Sequence, residues 1–113
     1  MAAHTSDINF KIALDDNKVP ERITWSAADG GVEQSDTRAA MLSVWDHNTH
    51  ELLKIDLWTK DMPLDQMKKF LHQNLAGLAD TLERAAGMDG AADELRQFAL
   101  SFGEKHGILR KPR

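Results

Sequence analysis

Arg38–Thr59, RAAMLSVWDHNTHELLKIDLWT, decides the fold, because it holds two runs of alternating side chains on either side of a polar turn. Pairing Asp46 with Glu51 across His47-Asn48-Thr49-His50 sets Val44 opposite Leu53, Leu42 opposite Ile55 and Ala40 opposite Leu57. That face is wholly apolar. The other face carries Trp45 beside Leu52, Ser43 beside Lys54, Met41 beside Asp56 and Ala39 beside Trp58. A slip of one residue would set each apolar side chain beside a residue of the opposite face, so burial of one face specifies this register. The stretch is therefore read as the central hairpin of a sheet.

Upstream, Ser6–Asp15 alternates with Ile8, Phe10, Ile12 and Leu14 on one face, the pattern of a half-buried strand. Asp15-Asp16-Asn17-Lys18 is turn chemistry, and Pro20 biases Val19 towards extended backbone. Arg22–Ser26 then resumes the alternation with Ile23 and Trp25, as a second strand antiparallel to the first. Ala27–Thr37, AADGGVEQSDT, is irregular and is read as a flexible connector between the two hairpins. Its Gly30-Gly31 lacks the lysine and the following helix of a phosphate loop, and Asp29, Glu33 and Asp36 would repel an anion.

Downstream the period changes from two to helical. Leu64, Met67, Leu71, Leu75, Leu78, Leu82 and Ala85 form a stripe spaced by three and four, the mark of a long amphipathic helix. Asp61 is the expected N-cap, Pro63 is tolerated in the first turn, and Gly87 stands where a glycine ends a helix. Asp89 is expected to cap a second helix with Ala92, Leu95, Phe98, Ala99, Phe102 and His106 inward, closing at Gly107. The short link implies an antiparallel pair, and Gly77 is expected to let the second helix approach closely. The order predicts an α+β fold: one four-stranded antiparallel sheet of two hairpins, with the two C-terminal helices packed on one face.

At 113 residues the chain fits a single domain, with residues 1–6 and 109–113 expected as disordered tails. It contains no cysteine, which removes disulfides, thiolate nucleophiles and cysteine zinc sites. No signal peptide is visible at MAAHTSDINF, and no stretch approaches the apolar run of a membrane span, so a cytoplasmic protein without membrane insertion is expected. A formal charge of −4 argues against a nucleic-acid partner. Only Arg110-Lys111-Pro112-Arg113 is locally basic, and it is read as a solvated end.

Candidate chemistry is sparse. His47 and His50 with Asp46 and Glu51 offer four potential ligands within six residues, but zinc sites recruit ligands from separated elements and a supporting shell, so no metal is expected. Asp15-Asp16 lacks the ligand run of a calcium loop. Ser43 beside Lys54 has the residue types of a serine nucleophile and its base, yet Asp56 two residues on keeps the ammonium charged. His72 and His106 are read as boundary histidines. No enzyme activity and no cofactor are expected.

The outer face of the central hairpin remains, where Met41, Trp45, Leu52 and Trp58 surround Ser43, Lys54 and Asp56. A solvated face has no need of tryptophans, and exposed apolar patches mark partner sites. Two explanations stand: contact with another chain, or cover by the segment Ala27–Thr37 or the amino terminus.

INFKIALDDNKVPERITWSAADGG from Ile8, then MLSVWD and LKIDLWTKDMPLDQMKKF as far as Phe70, resemble the gliding-motility-associated protein GldC family, and HQNLAGLADTLERAAG extends the likeness. The strings TWSAADGG, MLSVWD and IDLWTKDMP match at Trp25, Asp29, Gly30, Gly31, Trp45, Asp56, Trp58, Lys60, Asp61 and Pro63. The resemblance implies a small soluble accessory component of bacterial gliding motility, with no established cofactor or catalytic residue, so contact roles alone are carried over. The expected function is a non-enzymatic protein-interaction module acting through Met41, Ser43, Trp45, Leu52, Lys54, Asp56 and Trp58, its partner a component of the motility machinery or a second copy. The alternative is a small-molecule or lipid-binding domain with a cavity between sheet and helices.

Overall fold

The computed structural model describes residues 2–110. The chain forms two compact units, Met1–Met62 and Pro63–Arg113, the first built of strands and the second of helices. The expected basic end lies, from residue 111 on, outside the described residues.

The first unit contains β1 (Asn9–Leu14), β2 (Pro20–Ala27), β3 (Val32–Thr37), β4 (Ala39–Trp45) and β5 (Leu52–Trp58). β1 and β2 pair antiparallel with Phe10 opposite Trp25 and Ile12 opposite Ile23, as the alternation predicts. The two rings stack with centroids 6.1 Å apart. Ile23 is fully buried, flanked by Ile12 on one side and by Thr37 of β3 on the other. Asp15 holds the β1–β2 turn: its Oδ1 accepts the N–H groups of Asn17 at 2.8 Å and Val19 at 3.0 Å.

The predicted single four-stranded sheet is not what forms. Among the described residues there are five strands in two sheets, one of three strands in the order β1-β2-β3 and one of two, β4-β5. The error lies in Ala27–Thr37, read as a flexible connector. Ala28–Gly30 makes one 3-10 turn, Gly31 takes the left-handed conformation with φ 77°, and Val32–Thr37 returns as a strand against β2. VEQSDT shows no apolar alternation because β3 is an edge strand with little of its surface buried. A register shift between Trp25 and Ala27 also breaks the period; there Gln34 has φ 44° and donates its N–H to the Ser26 hydroxyl at 2.9 Å.

The β4–β5 register is the expected one at all seven pairs, from Ala39 opposite Trp58 to Trp45 opposite Leu52. Asp46 closes its turn. Oδ2 accepts the N–H groups of Asn48 at 3.1 Å and Thr49 at 2.7 Å and the Thr49 hydroxyl at 2.9 Å. These bonds, the Thr49 pair foremost, hold the Asp46 carboxyl below its ordinary value. The far end of the ribbon is tied to the first hairpin. The Lys60 N–H donates to the Pro20 carbonyl at 2.9 Å, and Lys60 Nζ reaches Asp15 at 3.2 Å and Glu21 at 3.0 Å.

The second unit contains α1 (Leu64–Ala86) and α2 (Asp89–Lys105), an antiparallel pair as expected from the short link. Gly87 ends α1 in the left-handed conformation and donates to the Glu83 carbonyl, the predicted stop. Asp61 is not the cap. Pro63 occupies that position with no side-chain hydrogen bond, while Asp61 Oδ1 accepts the buried Thr59 hydroxyl at 2.6 Å. Likewise Met88 precedes α2 and Asp89 is its first residue.

Small residues make the seam between the helices: Ala79, Ala92, Ala99 and Gly103 are buried, while Leu64, Leu71, Leu78, Phe98 and Phe102 of the predicted stripes are exposed. The close approach expected at Gly77 occurs at Gly103 instead. A Cβ on Gly77 would meet nothing within 4 Å, whereas one on Gly103 would lie 2.7 Å from Leu109 and 2.8 Å from His72 Nε2. His72 is half-buried, with Nε2 2.7 Å from the Ala99 carbonyl. Arg96 joins Asp80 and Glu83 of α1 to Asp93 of α2.

Candidate functional site

The surface singled out from sequence is one face of the β4–β5 ribbon, and the observed register places all seven residues on it. In antiparallel pairs, residues directly opposite share a face, so Ala39–Trp58, Met41–Asp56, Ser43–Lys54 and Trp45–Leu52 form four successive rungs. The two tryptophans stand at opposite ends of this ladder, roughly 20 Å apart at the rise of an extended chain. Trp45 is 68% and Trp58 53% exposed, and Leu52 beside Trp45 is open as well. Met41 is half-buried.

The middle of the face is polar. Lys54 Nζ lies 2.5 Å from Asp56 Oδ1, an ion pair along one strand. It sits beside the exposed Ser43 without the desolvation a lysine base requires. The face thus carries two exposed indoles with a compact ion pair between them.

Neither segment proposed to cover the tryptophans does so. Ala27–Thr37 is committed to the 3-10 turn and β3, and the amino-terminal segment is bound elsewhere: His4 Nε2 lies 2.7 Å from Asp29 Oδ2, and the Ser6 hydroxyl donates to the same carboxylate. These bonds, Ser6 first, hold the Asp29 carboxyl below its ordinary value.

Sequence reasoning underrated the opposite face. Val44, Leu53 and Ile55, expected as core, are each more than half exposed, and burial on that face is complete only at Ala40. One face of the ribbon is thus apolar and largely open, while the other sets Trp45, Leu52 and Trp58 around a polar centre.

Among the described residues no group of three histidine, aspartate or glutamate side chains is gathered to hold a metal. Asp46, the first member of the cluster at His47 and His50, spends its Oδ2 on its own turn. No helix is long and apolar enough to cross a membrane, among the described residues. The helical unit carries an open groove of about 480 Å³ lined by Leu71, Leu75, Phe102 and Ile108, with Lys68, His72 and His106 at its polar positions.

The family described as gliding motility-associated protein GldC-like matches residues 20–108, from the start of β2 to just beyond α2. No curated protein and no solved structure matches the chain.

Proposed function

The chain belongs to the GldC-like family of gliding motility-associated proteins, and from that premise we propose that it is a non-enzymatic interaction module that docks a protein component of the motility machinery in the cytoplasm. The observation that carries the reading is the exposure of Trp45 and Trp58 on one face of an isolated two-stranded ribbon. Tryptophan is the residue whose burial most often dominates a protein interface, and a charge pair between two such anchors fixes orientation. The module acts without cofactor or metal.

The test is the Trp45→Ala, Trp58→Ala double variant expressed in place of the natural chain in gliding cells. The expected result is loss of gliding, with the variant folded and present at the normal level. Normal gliding with a folded variant would refute the reading. So would a variant that unfolds while its associations stay unchanged, since the tryptophans would then be serving stability.

A second reading rests on the groove of the helical unit, whose apolar floor, with Lys68 in its lining, suits a fatty acid or another anion with an apolar tail. Displacement of a fluorescent fatty acid from the natural chain but not from Phe102→Ala would favour it, and no saturable binding to the natural chain would end it.

A further inference from the structure

We propose that β4 pairs with the same strand of a second copy of this chain, antiparallel about Leu42, so that two ribbons join into one four-stranded sheet. This pairing uses the edge of the ribbon rather than its tryptophan face, and it forms whether or not that face docks a motility partner.

The first observation is an unguarded edge. Among the described residues, β4 has β5 on one side and no strand on the other. Its seven residues, AAMLSVW, contain no charge and no proline, and its ladder has no register shift. Free edges in natural sheets are normally blunted by such features. β3, also an edge, has Glu33, Asp36 and a register shift, and β5 has Lys54 and Asp56.

The second observation is which groups face that edge. The Asp46 N–H donates to the Glu51 carbonyl at 2.9 Å, and the Thr59 N–H donates to the Arg38 carbonyl at 2.8 Å. Even-numbered positions of the strand therefore turn their backbone groups towards β5. By the alternation of an antiparallel ladder, Ala39, Met41, Ser43 and Trp45 turn theirs to the open edge. A two-fold axis at Leu42 sets odd positions opposite odd ones: Met41 against Ser43 of the second copy, and Ala39 against Trp45 of the second copy. Both are hydrogen-bonded pairs, while Leu42 faces its own counterpart across a non-hydrogen-bonded pair. The faces also stay matched, since Ala40, Leu42 and Val44 meet only one another, and the indole of Trp45 lies over the small Ala39. The Ala39 carbonyl already accepts the Thr37 hydroxyl at 3.0 Å, so the Met41–Ser43 rungs are the strongest part of the pairing.

The third observation is independent of the backbone. An axis at Leu42 brings Arg38 opposite Asp46 of the second copy, and the symmetry repeats the pair at the other end. Arg38 is exposed, and Asp46 holds its turn through Oδ2, which leaves Oδ1 for the guanidinium. Opposite charges across a strand pair favour this register over its neighbours.

The experiment uses the full chain. Sedimentation equilibrium is expected to give twice the 12.7 kDa chain mass. Ser43→Pro, which removes an edge-facing N–H and leaves the β5 ladder intact, is expected to give the single-chain mass with an unchanged circular dichroism spectrum. Should that variant not fold, two single cysteines decide, because the chain has none of its own. At the axis, two Leu42→Cys residues would have Cα atoms about 4.5 Å apart, within the roughly 4.4–6.8 Å a disulfide spans, whereas two Ser43→Cys residues are offset by two rungs and are expected to link at least about tenfold less. A monomeric natural chain at every concentration, a dimer that survives in a folded Ser43→Pro variant, or equal linking at both cysteines would overturn the proposal.

Discussion

Replacing a helical glycine by alanine normally stabilises, and in this chain the same substitution is expected to have opposite signs at two glycines. In α2, Gly103→Ala would gain about 1 kcal/mol from helix propensity. Against that, the new Cβ would lie 2.7 Å from Leu109 Cγ and Cδ1 and 2.8 Å from His72 Nε2. Leu109 has little freedom to retreat, since its N–H donates to the Gly103 carbonyl at 2.9 Å. His72 is held by the Ala99 carbonyl at 2.7 Å. Overpacking at such a site costs about 1–3 kcal/mol, and loss of the His72 hydrogen bond adds about 1 kcal/mol. The balance is a destabilisation of about 1–3 kcal/mol, or roughly 4–8 °C of Tm for each kcal/mol in a domain of this size. Urea and thermal denaturation of Gly103→Ala read it directly. Gly103→Ala combined with Leu109→Ala is expected to lose less than the two single variants together, because the truncated side chain makes the room the Cβ needs. A Gly103→Ala chain as stable as the natural one, or more so, would refute the close packing of α1, α2 and the segment that follows.

Gly77→Ala, by contrast, introduces a Cβ into open space within α1 and is expected to raise stability by up to about 1 kcal/mol in the same assay. Acid sensitivity should trace to the turn carboxylates. Asp46 is held below its ordinary value of 3.8, so its contribution is complete above that value and is lost as pH falls through the lower folded one. Denaturation along a pH series should therefore show Asp46→Asn less stable at neutral pH and with a shallower acid slope; equal slopes would remove Asp46 from the account. At Arg96, whose guanidinium is held charged by Asp80 and Glu83 and then Asp93, substitution by Met leaves three carboxylates without their cation. The variant is expected to lose stability at low salt and recover part of it as salt screens the repulsion, a rescue the natural chain should not show.

What could be read in advance follows from how many constraints act on each residue. The β4–β5 register was legible because alternation, turn chemistry and face matching all agree along RAAMLSVWDHNTHELLKIDLWT, and every rung is as expected. β3 was not, because an edge strand with open faces is under no pressure to alternate. One local signal was available there: Asp29-Gly30 followed by Gly31 is hairpin-turn chemistry, and it does reverse the chain between β2 and β3. The helices were legible as elements, but the seam between them was not. Periodicity marks the large apolar residues, whereas helices close enough to bury Ala79, Ala92, Ala99 and Gly103 select for small ones, which hydropathy barely weights. The shared face of Trp45 and Trp58 was legible because the register that pairs the two strands also fixes which side chains stand together.

The edge and the face of the ribbon are separable, and their separation determines what a motility partner would meet. If β4 pairs about Leu42, the tryptophan faces of two copies merge into one surface with two-fold symmetry, in which Trp45 of each copy lies beside Ala39 of the other. A partner that engages a single ribbon would then bind as two per dimer, and one that straddles the axis would bind as one per dimer. Arg38→Glu sets like charges together at both ends of the pairing and touches none of the seven residues of the face. It is therefore expected to weaken self-association, with the loss diminishing as salt rises, while partner binding to each ribbon remains. Trp45→Ala and Trp58→Ala should do the reverse at the partner and leave the Met41–Ser43 rungs standing. Sedimentation of the two sets of variants, with and without the partner, assigns each role to its own residues. A loss of both associations in a folded Arg38→Glu variant would mean that the partner recognises the joined sheet and not the ribbon.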